Sequence, residues 1–326
     1  MRLLSSADVA AAVPMDRAIQ VARQALEELS AGEITAPLRP PLELPEGAVT
    51  LVMPGHRPST RDLAVKVVSV HPRNAARGLP TVHAVVVVVD AATGLPTGLV
   101  EGNALTALRT GAAVGAATDL LARPDARILA VFGAGVQARA ALRAVCAVRP
   151  IAEVRLISRS GRSAERWAAE LQQCLPASPL RVIVAASPSE AVRGADILVT
   201  ATTSTVPVFS GDDVGPGVHV NALGAFRPAD RELDEETVTR ARIVVDTREG
   251  CLAEAGDLLI PLAAGRLDAA RIAELGEVSL GRRPGRTSPD QVTLYKSVGH
   301  AALDVAMAGE AIRRAASLGL GQVIED

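Results

Sequence analysis

Apolar positions along this chain change their period twice. Near the N-terminus they recur at helical spacing: Ser6-Ala-Asp-Val and Pro14-Met-Asp-Arg open a helix that runs to about Ser30. A proline-rich extended stretch, Ala36-Pro-Leu-Arg-Pro-Pro-Leu42, follows. The period then drops to two, which predicts strands at Val49–Met53, Leu63–Val70 and Thr81–Asp90, with turns at Asn74-Ala-Ala-Arg-Gly78 and Ala92-Thr-Gly94. Strands joined by short turns predict an antiparallel sheet. A long helix is expected from near Asn103 to before Pro124, and its all-small stretch Gly111-Ala-Ala-Val-Gly-Ala-Ala117 suits close packing.

From Arg127 the pattern alternates strand and helix. Strands are predicted at Ile128–Phe132, Glu153–Ser158, Leu180–Ala185, Asp196–Thr202, Val218–Leu223 and Ile243–Asp246; helices at Gln137–Val148 and Ser163–Gln173. Ser187-Pro-Ser-Glu190 reads as a capping box with proline at the first helical position. This order predicts an α/β chain built on a doubly wound parallel sheet over residues 123–298. Residues 1–122 form a separate α+β domain, which the C-terminal helix, Gly299 to about Leu318, is expected to rejoin as part of 299–326.

Composition narrows the class. Apolar residues make up 48% but aromatics only 2%, so Ala, Val and Leu must fill the core. A net charge of −2 gives no electrostatic footprint for nucleic acid or an acidic membrane. Cys146, Cys174 and Cys251 are widely spaced and the histidines show no metal-ligand spacing, so no metal is expected and a reducing, cytoplasmic compartment is. The longest apolar run, Ala84 to Val89, suits a buried strand and is too short to cross a bilayer.

Charge is placed unusually. Of 34 basic residues only Lys66 and Lys296 are lysines, leaving 32 arginines. Lys66 shares a period-two strand face with Ala64, Val68 and Val70. A lone ammonium there is costly unless an anion meets it, either a structural carboxylate or a substrate group. Arg109 shares a helix face with Leu105, Ala112, Ala113 and Ala116, so it either snorkels past that stripe or faces an anion.

Gly133-x-Gly135-x-x-Ala138 follows an apolar strand and opens a helix. In that context the glycines, with Val136 and Gln137, admit a dinucleotide pyrophosphate to the helix N-terminus. The second strand ends in Ile157-Ser158-Arg159-Ser160-Gly161-Arg162. An NAD site would place an acid there for the ribose hydroxyls; two arginines and two serines suit a 2′-phosphate, so NADP(H) is expected ahead of NADH.

Several segments together resemble the ornithine cyclodeaminase/mu-crystallin family. They include Val52-Met-Pro54, Ala64-Val-Lys-Val-Val68, Gly78-Leu-Pro-Thr-Val-His83, Gly102-Asn-Ala-Leu-Thr-Ala-Leu-Arg-Thr-Gly-Ala112, Phe132-Gly-Ala-Gly-Val-Gln-Ala138, Val220-Asn-Ala-Leu-Gly224, Arg231-Glu-Leu-Asp234, Ala255-Gly-Asp-Leu258 and Lys296-Ser-Val-Gly299. They run in the family's order over nearly the whole chain. The resemblance implies a homodimer formed by the first domain's sheet, a Rossmann domain hung on it, and an active site in the cleft between them. It implies that Arg39, Lys66 and Arg109 surround a substrate carboxylate, with Lys66 also serving the reacting nitrogen. The cofactor set becomes Thr110, Gly133, Gly135, Val136, Gln137, Ser158, Arg159, Ser160, Arg162, Thr202, Lys296, Val298 and Gly299.

One departure decides the branch. Where cyclodeaminases carry an aspartate that handles the substrate amine, this chain reads Gly224-Ala-Phe-Arg-Pro-Ala-Asp230, with Phe226 at the aspartate's place; Leu51 replaces a second acid. A phenyl ring cannot take a proton. The segment looks more like the ketimine reductase branch, with Phe226 as an apolar wall. The expected activity is NADPH-dependent reduction of a cyclic imino acid, 1-pyrroline-2-carboxylate or 1-piperideine-2-carboxylate, to proline or pipecolate. A cyclodeaminase, an amino-acid dehydrogenase, or a cofactor-binding protein with little turnover are the alternatives.

Overall fold

Two sheets organise the chain. The structure is a computed structural model and describes residues 1–174 and 180–325. Contacts divide the chain into one unit holding Met1–Ala112 with the stretch from Gly299 onward, and another holding Ala113–Val298.

The first unit contains β1 (Arg2–Leu4), α1 (Ser6–Ala12), α2 (Met15–Ser30), β2 (Leu42–Glu43), β3 (Val49–Arg57), β4 (Asp62–Val70), β5 (Val82–Asp90), β6 (Pro96–Glu101) and the start of α3 (Gly102–Leu121). Strands β3 to β6 form the expected antiparallel meander, with Lys66 of β4 opposite Met53 and Val86. Beyond β6 lies β1, which pairs with it in parallel. The single helix predicted to Ser30 is two helices. Pro14 has no N–H to donate and holds Val13 extended (φ −127°, ψ 91°), so the chain restarts at Met15. Strand β6 escaped prediction because Pro96, Thr97 and Gly98 blur its alternation.

The C-terminal helix α11 (Ala301–Leu318) lies across β3 and β4 and against α2. From Ala301 to Ala311 every residue is buried, so this helix is a core element and Asp304 is enclosed with its apolar neighbours. On the sheet's other face Leu63, Val65, Val85 and Val87 are half-buried, and Val52 and Val67 are exposed.

The second unit runs through β7 (Ile128–Phe132), α4 (Val136–Val148), β8 (Glu153–Ile157), α5 (Arg162–Cys174), β9 (Arg181–Val184), α6 (Pro188–Val192), β10 (Ile197–Thr200), β11 (His219–Ala222), α7 (Glu235–Arg240), β12 (Arg242–Val245), α8 (Arg248–Glu254), α9 (Gly256–Ala263), β13 (Ala273–Glu274), α10 (Leu275–Ser279) and β14 (Thr293–Lys296). All its pairings are parallel, in the order β13-β12-β14-β11-β10-β7-β8-β9. The strand order reverses between β7 and β10, the switch point of a doubly wound sheet. Ser187 caps α6 through the Glu190 N–H, but Glu190 accepts from Ala186 N, not from Ser187, so the predicted box is half made.

The division between units falls inside α3, at Ala112/Ala113, and not at 122/123. The reason is packing. Val114 and Ala122 belong to the core that holds Leu129, Val131 and Val199. Arg149 fixes that end of the helix, donating to the carbonyls of Thr118, Asp119, Ala122 and Arg123.

Candidate functional site

At the carboxyl ends of β7, β8 and β10 the second unit holds a cavity of about 620 Å³, lined in part by Gly133, Gly135, Ser158, Arg159, Ser160 and Thr202. Gly133 has φ +105°, and a Cβ on it would lie 2.4 Å from the Ala201 carbonyl oxygen, so only glycine fits the turn. Gly135 is the opposite case: a Cβ there would meet nothing within 4 Å, and no side chain caps the helix that begins at Val136. Unclaimed N–H groups at an open helix N-terminus form an anion site. Gln137 leaves a buried Oε1 with no hydrogen-bond partner among the described residues, an acceptor suited to a hydroxyl or N–H of a ligand and not to its phosphates. A dinucleotide's pyrophosphate fits this cradle. Ser158 accepts from Ala164 N and thereby sets the start of α5, and Arg159 is exposed on the cavity wall. Arg162 begins α5 and is not part of that wall, whereas Ser163, absent from the expected set, is.

Lys296, Val298, Gly299 and Thr110 are expected cofactor residues that do not line this cavity. Lys296 is wholly buried at the end of β14, its Nζ 2.7 Å from Asp257 Oδ2 and donating to Ala225 O at 2.6 Å. Its ammonium is consumed by that pair and presents nothing to a dinucleotide. Burial works against its charge, but Asp257 and Glu232 outweigh it and hold Lys296 above the ordinary lysine range. Val298 packs on the second unit's core. Gly299 (φ +79°) lies under Arg109, where a Cβ would come within 2.7 Å of Nη1.

The carboxylates around Lys296 carry no local signal in the sequence. Asp257 Oδ1 accepts from the N–H groups of Glu232 and Leu233 at 2.7 and 2.9 Å. Glu232, also wholly buried, accepts from Thr200 Oγ1, Thr202 N, Thr202 Oγ1 and Gly224 N at 2.6 to 2.8 Å.

The first unit gathers charge of the opposite sign. Lys66 Nζ donates to Asp304 Oδ2 at 2.6 Å, and Arg109 Nε donates to Asp304 Oδ1 at 3.0 Å. All three side chains are buried. Arg109 therefore does not snorkel; it faces an anion. Burial pushes Lys66 down to about 7; Asp304 opposes the shift, while Arg109 and Arg39 add to it. Burial would raise Asp304, but Arg109 and Lys66 overcome it and hold the carboxyl below its usual range. Arg39 reaches Met53 Sδ at 3.7 Å. One carboxylate shared by two cations, with a third close enough to be felt, leaves positive charge unneutralised in a buried place. Asp304 does carry a sequence signal, as a lone acid inside Ala301-Ala-Leu-Asp-Val-Ala-Met-Ala308. Thr110 is buried beside Arg109 on α3, Leu51 packs on the Met53–Val68–Ala301 cluster, and Phe226 is exposed with the Arg227 guanidinium 5.9 Å from its ring centre.

Fold and cradle together define a dinucleotide-binding protein. The sequence profile of the ornithine cyclodeaminase/mu-crystallin family matches residues 1–317, and the chain belongs to that family. The Delta(1)-pyrroline-2-carboxylate reductase of Bacillus cereus is 39% identical over 328 residues, 100% of both chains. The structure of Thermococcus litoralis Delta(1)-pyrroline-2-carboxylate reductase in complex with NADH and L-proline matches with a TM-score of 0.95 at 40% identity, over 99% of this chain and 100% of that one. An archaeal alanine dehydrogenase dimer with bound NAD matches with a TM-score of 0.92 at 31% identity, over 100% and 99%. The protein is an NAD(P)H-dependent oxidoreductase acting on C=N bonds. No helix among the described residues is long and apolar enough to cross a membrane.

Proposed function

We propose that the enzyme reduces cyclic 2-carboxy imines, 1-pyrroline-2-carboxylate or 1-piperideine-2-carboxylate, to proline or pipecolate, with NADPH preferred. The observation that carries this reading is the buried, net-positive cluster of Lys66 and Arg109 on Asp304. A carboxylate entering it supplies the missing negative charge and accepts from Arg109, Lys66 and Arg39. Lys66, poised near 7, exchanges a proton at neutral pH and keeps the imine nitrogen charged, directly or through a water. The nicotinamide, when bound, supplies the hydride to the imine carbon. The chain's own part is to hold the carboxylate, keep the nitrogen protonated and offer Phe226 as an apolar wall. Phe226 also argues against cyclodeamination, which needs a base where this ring stands. Arg159 with Ser158 and Ser160, and no acid at the end of β8, support the 2′-phosphate.

The apolar outer face of the first unit's sheet supports a homodimer through that face, as does the dimeric alanine dehydrogenase. Light scattering should give twice the mass of one chain, and Val67→Glu should shift it towards monomer.

The function test is steady-state NADPH oxidation with both imines, beside ammonia release from ornithine and lysine with NAD+ or NADP+. Imine reduction without comparable ammonia release is expected. Ammonia release at the rate of the best imine reduction would overturn the reading and point to another base, Asp230 first.

A further inference from the structure

We infer that Lys296, Asp257 and Glu232 form a buried positioning network that sets two walls of the second unit at once: Thr202 on the cofactor cavity, and the backbone that leads into Phe226. The inference rests on the proposed function only where Phe226 is taken to face substrate.

The geometry is a chain of short contacts. Lys296 Nζ holds Ala225 O at 2.6 Å and Asp257 Oδ2 at 2.7 Å. Asp257 Oδ1 takes the N–H groups of Glu232 and Leu233, which orients the Glu232 backbone. The Glu232 carboxylate then holds Thr202 through N and Oγ1 at 2.7 Å each, and Gly224 through N at 2.6 Å. Gly224 is therefore fixed by its N–H and Ala225 by its carbonyl, immediately before Phe226. The fit is tight. A Cβ at Gly224 would lie 2.2 Å from Thr202 O and 2.5 Å from Glu232 Oε1, so the two walls touch each other through this carboxylate.

Three ionised groups that are almost wholly buried are costly for stability alone, and apolar replacements of such groups often fold as well or better. Here they satisfy backbone groups at two loops that packing alone leaves free, which is a reason to keep charge at this place. Residues that act on the reaction through Thr202 and Phe226, and touch no reacting atom themselves, are positioning residues.

Two variants test this. Glu232→Gln keeps the size but turns an amide donor towards donors at Thr202 or Gly224. Lys296→Met combined with Asp257→Asn removes both charges of the pair while an amide oxygen still accepts the two N–H groups. Two readouts separate positioning from simple stability: the NADPH dissociation constant by fluorescence, and the ratio of kcat/KM for the five- and six-membered cyclic imino acids. Both variants should weaken NADPH by about tenfold and move the ring-size ratio by about fivefold or more, the effect of one or two lost charge-assisted contacts. A uniform loss of kcat, with unchanged NADPH affinity and unchanged ratio, would reduce the network to a structural element and overturn the inference. Should the double variant not fold, Glu232→Gln decides. Should the native enzyme reduce neither imine, the proposed substrate is wrong, and the NADPH affinity still judges the cofactor wall.

Discussion

Replacing Asp304 by Asn should move the pH dependence of the enzyme towards acid. Among the described residues Asp304 is the carboxylate that both Lys66 and Arg109 contact, at 2.6 and 3.0 Å. It opposes the burial that has already brought Lys66 to about 7. An uncharged amide removes that opposition. A charge-assisted hydrogen bond is worth roughly 1.5–3 kcal/mol, and about 1.4 kcal/mol corresponds to one pKa unit, so Lys66 should fall by about one to two units. The direction in activity follows from the protonated form being the useful one. In the native enzyme kcat/KM for imine reduction should decline as pH rises through about 7; in Asp304→Asn the decline should begin about one to two units lower, from the same bond energy. At pH 7.5 the protonated fraction would drop from about a quarter to about one in a hundred, a loss of roughly twentyfold that acid pH should largely restore. Stopped-flow NADPH oxidation between pH 5 and 9 measures it. Superposable profiles for the two proteins would show that Lys66 is not the titrating group, and that its pairing with Asp304 serves only to fold the first unit.

Arg109→Ala should raise KM and lower kcat/KM by on the order of a hundredfold, since it strips a partner from a buried carboxylate contact; near-native kinetics would return Arg109 to a purely structural pairing with Asp304. Arg159→Ala should weaken NADPH by about tenfold or more while leaving NADH nearly unchanged, and equal loss with both cofactors would refute a 2′-phosphate role. His219 is wholly buried, with Nδ1 2.9 Å from Thr293 Oγ1; burial, aided by Arg286, pushes it from 6.5 down to about 3. Its folded pKa is the lower one, so the unfolded chain binds the extra proton and stability falls as pH drops below about 6.5. His219→Asn should remove about 2 kcal/mol of the stability difference between pH 7 and 5, read from urea unfolding at both; no change in that difference would mean the ring is protonated without penalty.

What could be read from the sequence was local. The strand Ile128–Phe132, the Gly133-x-Gly135 turn and the helix Val136–Val148 are consecutive in the chain, and each residue's conformation follows from its immediate neighbours. Lys66 and Arg109 could be singled out because each is a charge among apolar neighbours at a fixed period. What answers them could not, because Lys66 and Asp304 are 238 residues apart and nothing local to β4 tells which distant acid will arrive. The same holds for Glu232, Asp257 and Lys296, which the loop before α7, helix α9 and strand β14 bring together. The Lys296-Ser-Val-Gly299 motif points to the cofactor, but the Lys296 side chain turns inward to Asp257. The apolar period continues across Pro14 even though the helical hydrogen bonds cannot, so the pattern alone predicts one helix where there are two.

The two lysines of an otherwise arginine-based chain show why neither position suits a guanidinium. Both are buried against a carboxylate, yet their environments act in opposite directions. Lys66 shares one acid with Arg109 and feels Arg39, so burial prevails and the ammonium sits near its release point. Lys296 feels Asp257 and Glu232 together, so attraction prevails and the charge is held. An arginine at 66 would stay charged at any working pH and could exchange no proton. An arginine at 296 would bring five donors into an enclosure where the lysine contacts two acceptors, and the surplus donors would be left buried and unmet. One site calls for a cation that can let go of its proton, the other for a small cation that cannot. Lysine meets both demands, because its charge is compact and its ionisation follows the surroundings.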